Sequence, residues 1–151
     1  MDSVVLEKPA TLLEIRADAA DVRPASLWLA QQGSARAIPP EQIFRLDLCL
    51  NEALANVIEH GGCEALLAPV RLSLKSGVDD NGSHAILMIS DAGLAFNPLT
   101  AKQKATPGSL AEATPGGLGL GIMSSFADKV AYERRHDRNV LQFVIRWPTD
   151  D

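Results

Sequence analysis

The chain has 151 residues, the size of one ordinary domain, with 46% hydrophobic and 22% charged residues, so it can bury a core and does not belong to the disordered class. Its formal net charge of −5 argues against broad contact with DNA, RNA or anionic membranes, which select basic surfaces. Met1 to Ala10 lacks the apolar centre of a signal peptide and no apolar run approaches a membrane span, so a cytoplasmic protein with no membrane partner and no direct nucleic-acid partner is expected.

Leu12–Ile15 reads as a short strand. Ala19–Gln32 reads as a helix, broken or bent near Pro24 and stopped by Gly33. Gln42–His60 is the strongest helix: Ile43, Leu46, Leu50, Leu54 and Val57 recur at three- and four-residue steps, with Pro39-Pro40 before and Gly61-Gly62 after. Cys49 falls in this helix and Cys63 just after it. The two lack metal-pair spacing and are read as reduced thiols.

Val70–Lys75 alternates polar and apolar, Gly77–Ser83 holds the turn signal Asp80-Asn81-Gly82, and Ala85–Ser90 is almost wholly apolar, which predicts a hairpin. Leu99–Thr114 is polar and long enough for a functional loop. Leu118–Asp128 reads as a helix entered through glycines. Lys129–Arg135 and Val140–Trp147 read as two strands joined by a turn at His136–Asn139. Strand pairs with short turns imply an antiparallel or mixed sheet. Helices grouped on one face make a two-layer α/β sandwich, an α+β arrangement in one domain over 1–151.

Three segments carry chemistry. In the long helix, Glu52 and Asn56 are four apart and share a face, and Glu52 lies roughly opposite the apolar stripe at about 100° per residue. A carboxamide oxygen can ligate Mg²⁺ and a carboxylate can take a proton, although alone the pattern is also that of a solvated helix face. Asp91, directly after an apolar strand, sits at a sheet end. There it could accept from the amino group of adenine, with Gly93 beside it, or simply open an Asp-x-Gly turn. Gly116-Gly117-Leu118-Gly119-Leu120-Gly121 leads into a helix, where exposed N–H groups and the helix dipole favour phosphate. No Gly-x-x-x-x-Gly-Lys-Ser/Thr loop is present, and a dinucleotide fingerprint fits the strand order badly.

The succession of these segments resembles the ATPase superfamily of gyrase, Hsp90, histidine kinases and MutL, with its Bergerat-type mixed, mostly antiparallel sheet. Within it the chain resembles the anti-sigma-factor serine/threonine kinases, from about Leu12 to Trp147. Glu52-Ala53-Leu54-Ala55-Asn56 through Glu59-His60-Gly61 is similar to that family's first box, and Gly116 to Met123 followed by Phe126-Ala127-Asp128 to its last.

The resemblance implies ATP and Mg²⁺ as ligands, with Glu52 as general base, Asn56 as Mg²⁺ ligand, Asp91 as adenine acceptor and Gly93 beside the adenine. It places Gly117, Gly119 and Gly121 at the phosphates and makes residues 99–115 a lid. It further implies a STAS-type antagonist as phosphoacceptor, a sigma factor as second partner, a homodimer, and partner contact through Arg23. Two features depart from the family: Ala95 stands where a second glycine is common, and Lys102 and Lys104 are the only lid cations. His60, one turn beyond Asn56, is assigned a supporting role. The competing readings are a binding module that uses nucleotide without phosphorylating its partner, and the ATP-binding part of a histidine-kinase-like protein.

Overall fold

The structure is a computed structural model and describes residues 6–100 and 126–149. In chain order it contains strand β1 (Leu6–Ile15), helix α1 (Val22–Ala35), helix α2 (Pro40–His60), strands β2 (Val70–Asp79) and β3 (Gly82–Asp91), then β4 (Lys129–Arg135) and β5 (Arg138–Trp147). The strands form one five-stranded sheet in the order β1-β2-β3-β5-β4. Every described pairing is antiparallel. No described helix is long and apolar enough to cross a membrane.

Period-two alternation sorts the sheet into two faces. Leu72 and Leu74 on β2, Leu87 and Ile89 on β3, and Phe143 and Ile145 on β5 are buried on one face. They form one core with Leu29 of α1 and Leu46, Leu50 and Leu54 of α2. Burying each such side chain contributes roughly 1.5–3 kcal/mol. The other face carries Arg71 and the exposed Leu12. The result is the two-layer sandwich expected from the sequence. Ser26 Oγ donates to Asp47 Oδ1 (2.6 Å) and Asn51 Nδ2 donates to Ser26 Oγ (3.0 Å), which ties α1 to α2.

Several boundaries differ from the sequence expectation, each for a local reason. β1 begins six residues earlier, because a register shift between Lys8 and Thr11 takes up Pro9 on this edge strand, where a missing N–H is tolerated. Arg36 fixes that irregularity by donating to the Pro9 carbonyl and to Thr11 Oγ1. The expected break near Pro24 is present, but Pro24 is not its cause and does not bend α1. It lies in the first turn, and the break falls earlier, where a single 3₁₀ turn, Ala19–Asp21, is capped by Asp18.

Gly33 does not stop α1 either. It is inside the helix because a Cβ there would come within 2.9 Å of Ile43, so its absence lets α2 approach. The helix ends at Ala35, and the chain is turned out of it at Ala37, which has φ 58, with Ile38 N donating to Gly33 O (2.9 Å) and Ala37 N to Ser34 O (3.0 Å). This is the left-handed helix stop that glycine ordinarily supplies. The turn between β4 and β5 is only His136-Asp137, with φ 51 and 62, so Arg138 and Asn139 belong to β5.

The left-handed conformation costs a non-glycine residue about 1 kcal/mol, partly offset in glycine by a more mobile unfolded chain. Ala37→Gly is therefore expected to stabilise the fold by about 0.5–1 kcal/mol, read as a higher urea midpoint. An unchanged or lower midpoint contradicts this account of the helix stop.

Candidate functional site

The site begins on α2. Its buried residues are Leu46, Cys49, Leu50, Ala53, Leu54 and Asn56. Cys49 and Ala53 are small and rotate the buried face toward Glu52 and Asn56. Glu52 therefore lies on the flank of the buried face rather than opposite it, as the stripe of large residues had implied. Its Oε2 is buried, and burial holds its carboxyl above the usual glutamate range. Asn56 is 4% exposed. Both Glu52 Oε2 and Asn56 Nδ2 lack a hydrogen-bond partner among the described residues. An unpaired buried polar atom costs about 1–3 kcal/mol, which makes these two atoms on successive turns candidates for ligand contact. Cys49, by contrast, is an inert core thiol, pushed up to about 12 by burial.

The second part stands at the end of the sheet. Asp91, the last residue of β3, faces Asn139 across the ladder and is buried. Its Oδ1 accepts from Gly93 N (2.9 Å) and from Asn139 Nδ2 (3.0 Å). Asn139 Nδ2 also donates to Leu94 O (2.9 Å), while Asn139 Oδ1 accepts from Phe96 N (3.1 Å) and Tyr132 Oη (2.5 Å). Sequence reasoning missed Asn139 and Tyr132. The length assigned to the turn placed Asn139 in a loop, whereas a two-residue turn makes it a strand residue opposite Asp91.

The two parts meet through glycine. A Cβ on Gly93 would lie 2.7 Å from Gly61 Cα and 2.9 Å from Asp91 Oδ1. One on Gly61 would lie 2.5 Å from Val57 O. Leu94 N donates to Gly61 O (3.0 Å), and Arg134 Nη1 donates to Gly93 O (2.8 Å) from β4. The rings of His60 and Phe96 stack at 4.2 Å and 12°.

Between these parts lies an open cleft. Asn56, Asp91 and Asn139 supply its polar groups, and Val57, Ile89, Leu94, Phe96 and Leu141 its apolar walls. The structure thus brings Asn56 and Asp91 together. Glu52 stands one turn before Asn56 and is not among the residues lining the cleft. Nor is Gly93, which packs behind the wall against Gly61, itself a lining residue. Arg23 is exposed on the first turn of α1. Gly117, Gly119, Gly121, Lys102 and Lys104 lie outside the described residues, as does all of the expected lid beyond Thr100.

An apolar slot with one carboxylate at the sheet end and a carboxamide on the helix suits a flat base attached to a polar tail. The unpaired Asn56 amide fits a ligand here as well. Turned by half a rotation about its last bond, it offers oxygen rather than N–H, and so can serve a cation.

Comparison with known proteins identifies the family. Residues 15–145 match the family model of the histidine kinase-like ATPase domain. The chain is 31% identical over 129 residues to the serine/threonine-protein kinase BtrW of Bordetella bronchiseptica, covering 85% of this chain and 88% of that relative. Its fold is similar to the RsbU and RsbW domains of Rv1364c from Mycobacterium tuberculosis, with TM-score 0.63, 12% identity and 94% of this chain covered. It spans about a third (34%) of that longer protein. It is similar also to the SiaB-SiaC complex from Pseudomonas aeruginosa, with TM-score 0.61, 13% identity, 89% of this chain and 88% of that one. The chain belongs to the histidine kinase-like ATPase family, in the serine/threonine kinase branch that the Bordetella relative represents.

Gly93→Ala forces α2 away from the loop after β3 and pushes on Asp91 at the same time. ATP affinity measured by calorimetry is expected to fall by roughly tenfold or more, since a displacement costing 1.4 kcal/mol already does so. Unchanged affinity contradicts the close approach as a condition of the site.

Proposed function

We propose that the chain is an ATP-dependent serine/threonine protein kinase of the partner-switching kind, which phosphorylates a hydroxyl on a small STAS-type antagonist. The observation that carries this reading is the junction itself: buried Asp91 at the sheet end and Asn56 on α2 share one cleft, with Glu52 one turn away. Asp91 accepts a hydrogen bond from the amino group of adenine, and guanine, with an oxygen at that position, is disfavoured. The apolar walls take the faces of the base. Asn56 holds Mg²⁺ through its side-chain oxygen. Gly117, Gly119 and Gly121 are assigned to the phosphates on sequence grounds.

When bound, Mg²⁺-ATP supplies the phosphoryl group that is transferred. Glu52 takes the proton that the acceptor hydroxyl loses as its oxygen bonds to the γ-phosphorus, while the bond from that phosphorus to the β-phosphate oxygen breaks and ADP leaves. The carboxyl is suited to this by burial, which makes it a stronger base than an exposed glutamate. The name of the Bordetella relative supports the kinase reading, and the Pseudomonas structure, a complex of two proteins, supports a protein partner. A sigma factor as alternative partner and a homodimeric state belong to the same proposal.

Glu52→Gln is expected to reduce phosphate transfer to the antagonist by about 10²-fold or more, while ATP affinity changes little. Label reaching the antagonist at an undiminished rate refutes the assignment.

The pH profile is a separate check. Glu52 works as a base only when deprotonated, and its carboxyl is raised by burial. Transfer is therefore lost as pH falls through a point above the ordinary glutamate value of about 4.3, and this acid limb disappears in the glutamine variant. An acid limb at or below that value contradicts the role.

A further inference from the structure

We propose that Asn139 is the residue that sets base specificity in this cleft, as a positioning residue that aims Asp91 and holds the 94–96 loop rather than as a contact to the base. The inference rests on the reading that adenine is held by Asp91.

A carboxamide side chain offers two N–H donors and two acceptor lone pairs. All four are used in Asn139. Nδ2 donates to Asp91 Oδ1 and Leu94 O, and Oδ1 accepts from Phe96 N and Tyr132 Oη. The amide has no hydrogen-bonding capacity left for a base, although it borders the cleft. Its effect on a ligand passes through what it holds.

Its orientation is also settled by its neighbours. Phe96 N–H can only donate, and the Leu94 carbonyl can only accept. A flipped amide would set N–H against N–H on one side and oxygen against oxygen on the other. The N–H₂ edge is thereby turned toward Asp91. With Asn139 Nδ2 and Gly93 N both on Oδ1, the carboxylate is held at two points, and Oδ2 is the oxygen left for the amino group of the base. The same amide fixes the backbone of Leu94 and Phe96, whose side chains form part of the apolar wall. One side chain therefore registers the polar acceptor and the wall against each other, and discrimination between adenine and guanine depends on that register.

Purely structural damage would weaken all nucleotides alike, so the test is a double-mutant cycle read in two nucleotides. The affinities of Mg²⁺-ATP and Mg²⁺-GTP are measured by calorimetry for the unsubstituted full chain, Asp91→Ala, Asn139→Leu and the double variant. Asn139→Asp is measured beside them. It keeps the size of the side chain and its acceptor toward Phe96, but presents oxygen to Asp91 and Leu94, so it tests the same point should the leucine variant fail to fold.

Asn139→Leu and Asn139→Asp are each expected to lower ATP affinity by roughly tenfold, the scale of one or two lost hydrogen bonds. The preference for ATP over GTP should shrink by a similar factor. On the Asp91→Ala background, Asn139→Leu should cost clearly less than on the unsubstituted chain, the remainder being the loosened 94–96 wall, because coupled residues do not add. Losses that multiply in the double variant, or ATP and GTP weakened equally, overturn the positioning role. Asp91→Ala binding ATP as tightly as the unsubstituted chain overturns the adenine reading itself, and the inference falls with it.

Discussion

The site depends on one close approach. Asn56 belongs to the helical layer and Asp91 to the sheet, and the two layers of a sandwich are ordinarily held about 10 Å apart by the side chains between them. At Gly61 and Gly93 there are no side chains, and the backbone after α2 touches the backbone after β3. Across this contact, Leu94 N donates to Gly61 O and the His60 ring stacks on Phe96, while Arg134 of β4 holds Gly93 O from the sheet side. Without it the carboxamide and the carboxylate would belong to two surfaces rather than one cleft.

The polar groups at this junction divide by whether the fold satisfies them. Asp91, Asn139, Tyr132 and the backbone of 93–96 form a connected network that rigidifies the sheet side. On the helix side, Glu52 Oε2 and Asn56 Nδ2 are buried without described partners. The sheet side is thus satisfied by the fold itself, while the described residues leave these two helix atoms unsatisfied, which is the contrast the proposed function uses.

Much of this was legible in the sequence, and the failures share a cause. Strands and helices with clear periods, such as Lys129–Arg135 and the long helix, were found close to their limits. Glycine proved ambiguous: Gly33 carries the same local signal as a helix stop, but its reason is the approach of Ile43 from another element. The stop itself is Ala37, which has no stop signature. Cys49 and Ala53 do not register as a stripe, so the true buried face of α2, and Glu52 at its edge, could not be placed from the large residues alone. Asn56 and Asp91 stood out by position, whereas Asn139 matters only through its cross-strand pairing with Asp91, which no local pattern records.

The most direct measurement of the central claim is amide chemical-shift mapping during titration with Mg²⁺-ATP. If one nucleotide bridges the helix end and the sheet end, the amides of Gly61, Gly93, Leu94 and Phe96 shift together along one binding curve, with Asn56 and Asn139 side-chain amides following it. Shifts confined to the open sheet face around Leu12 and Arg71, or separate curves for the helix and sheet ends, would contradict the account.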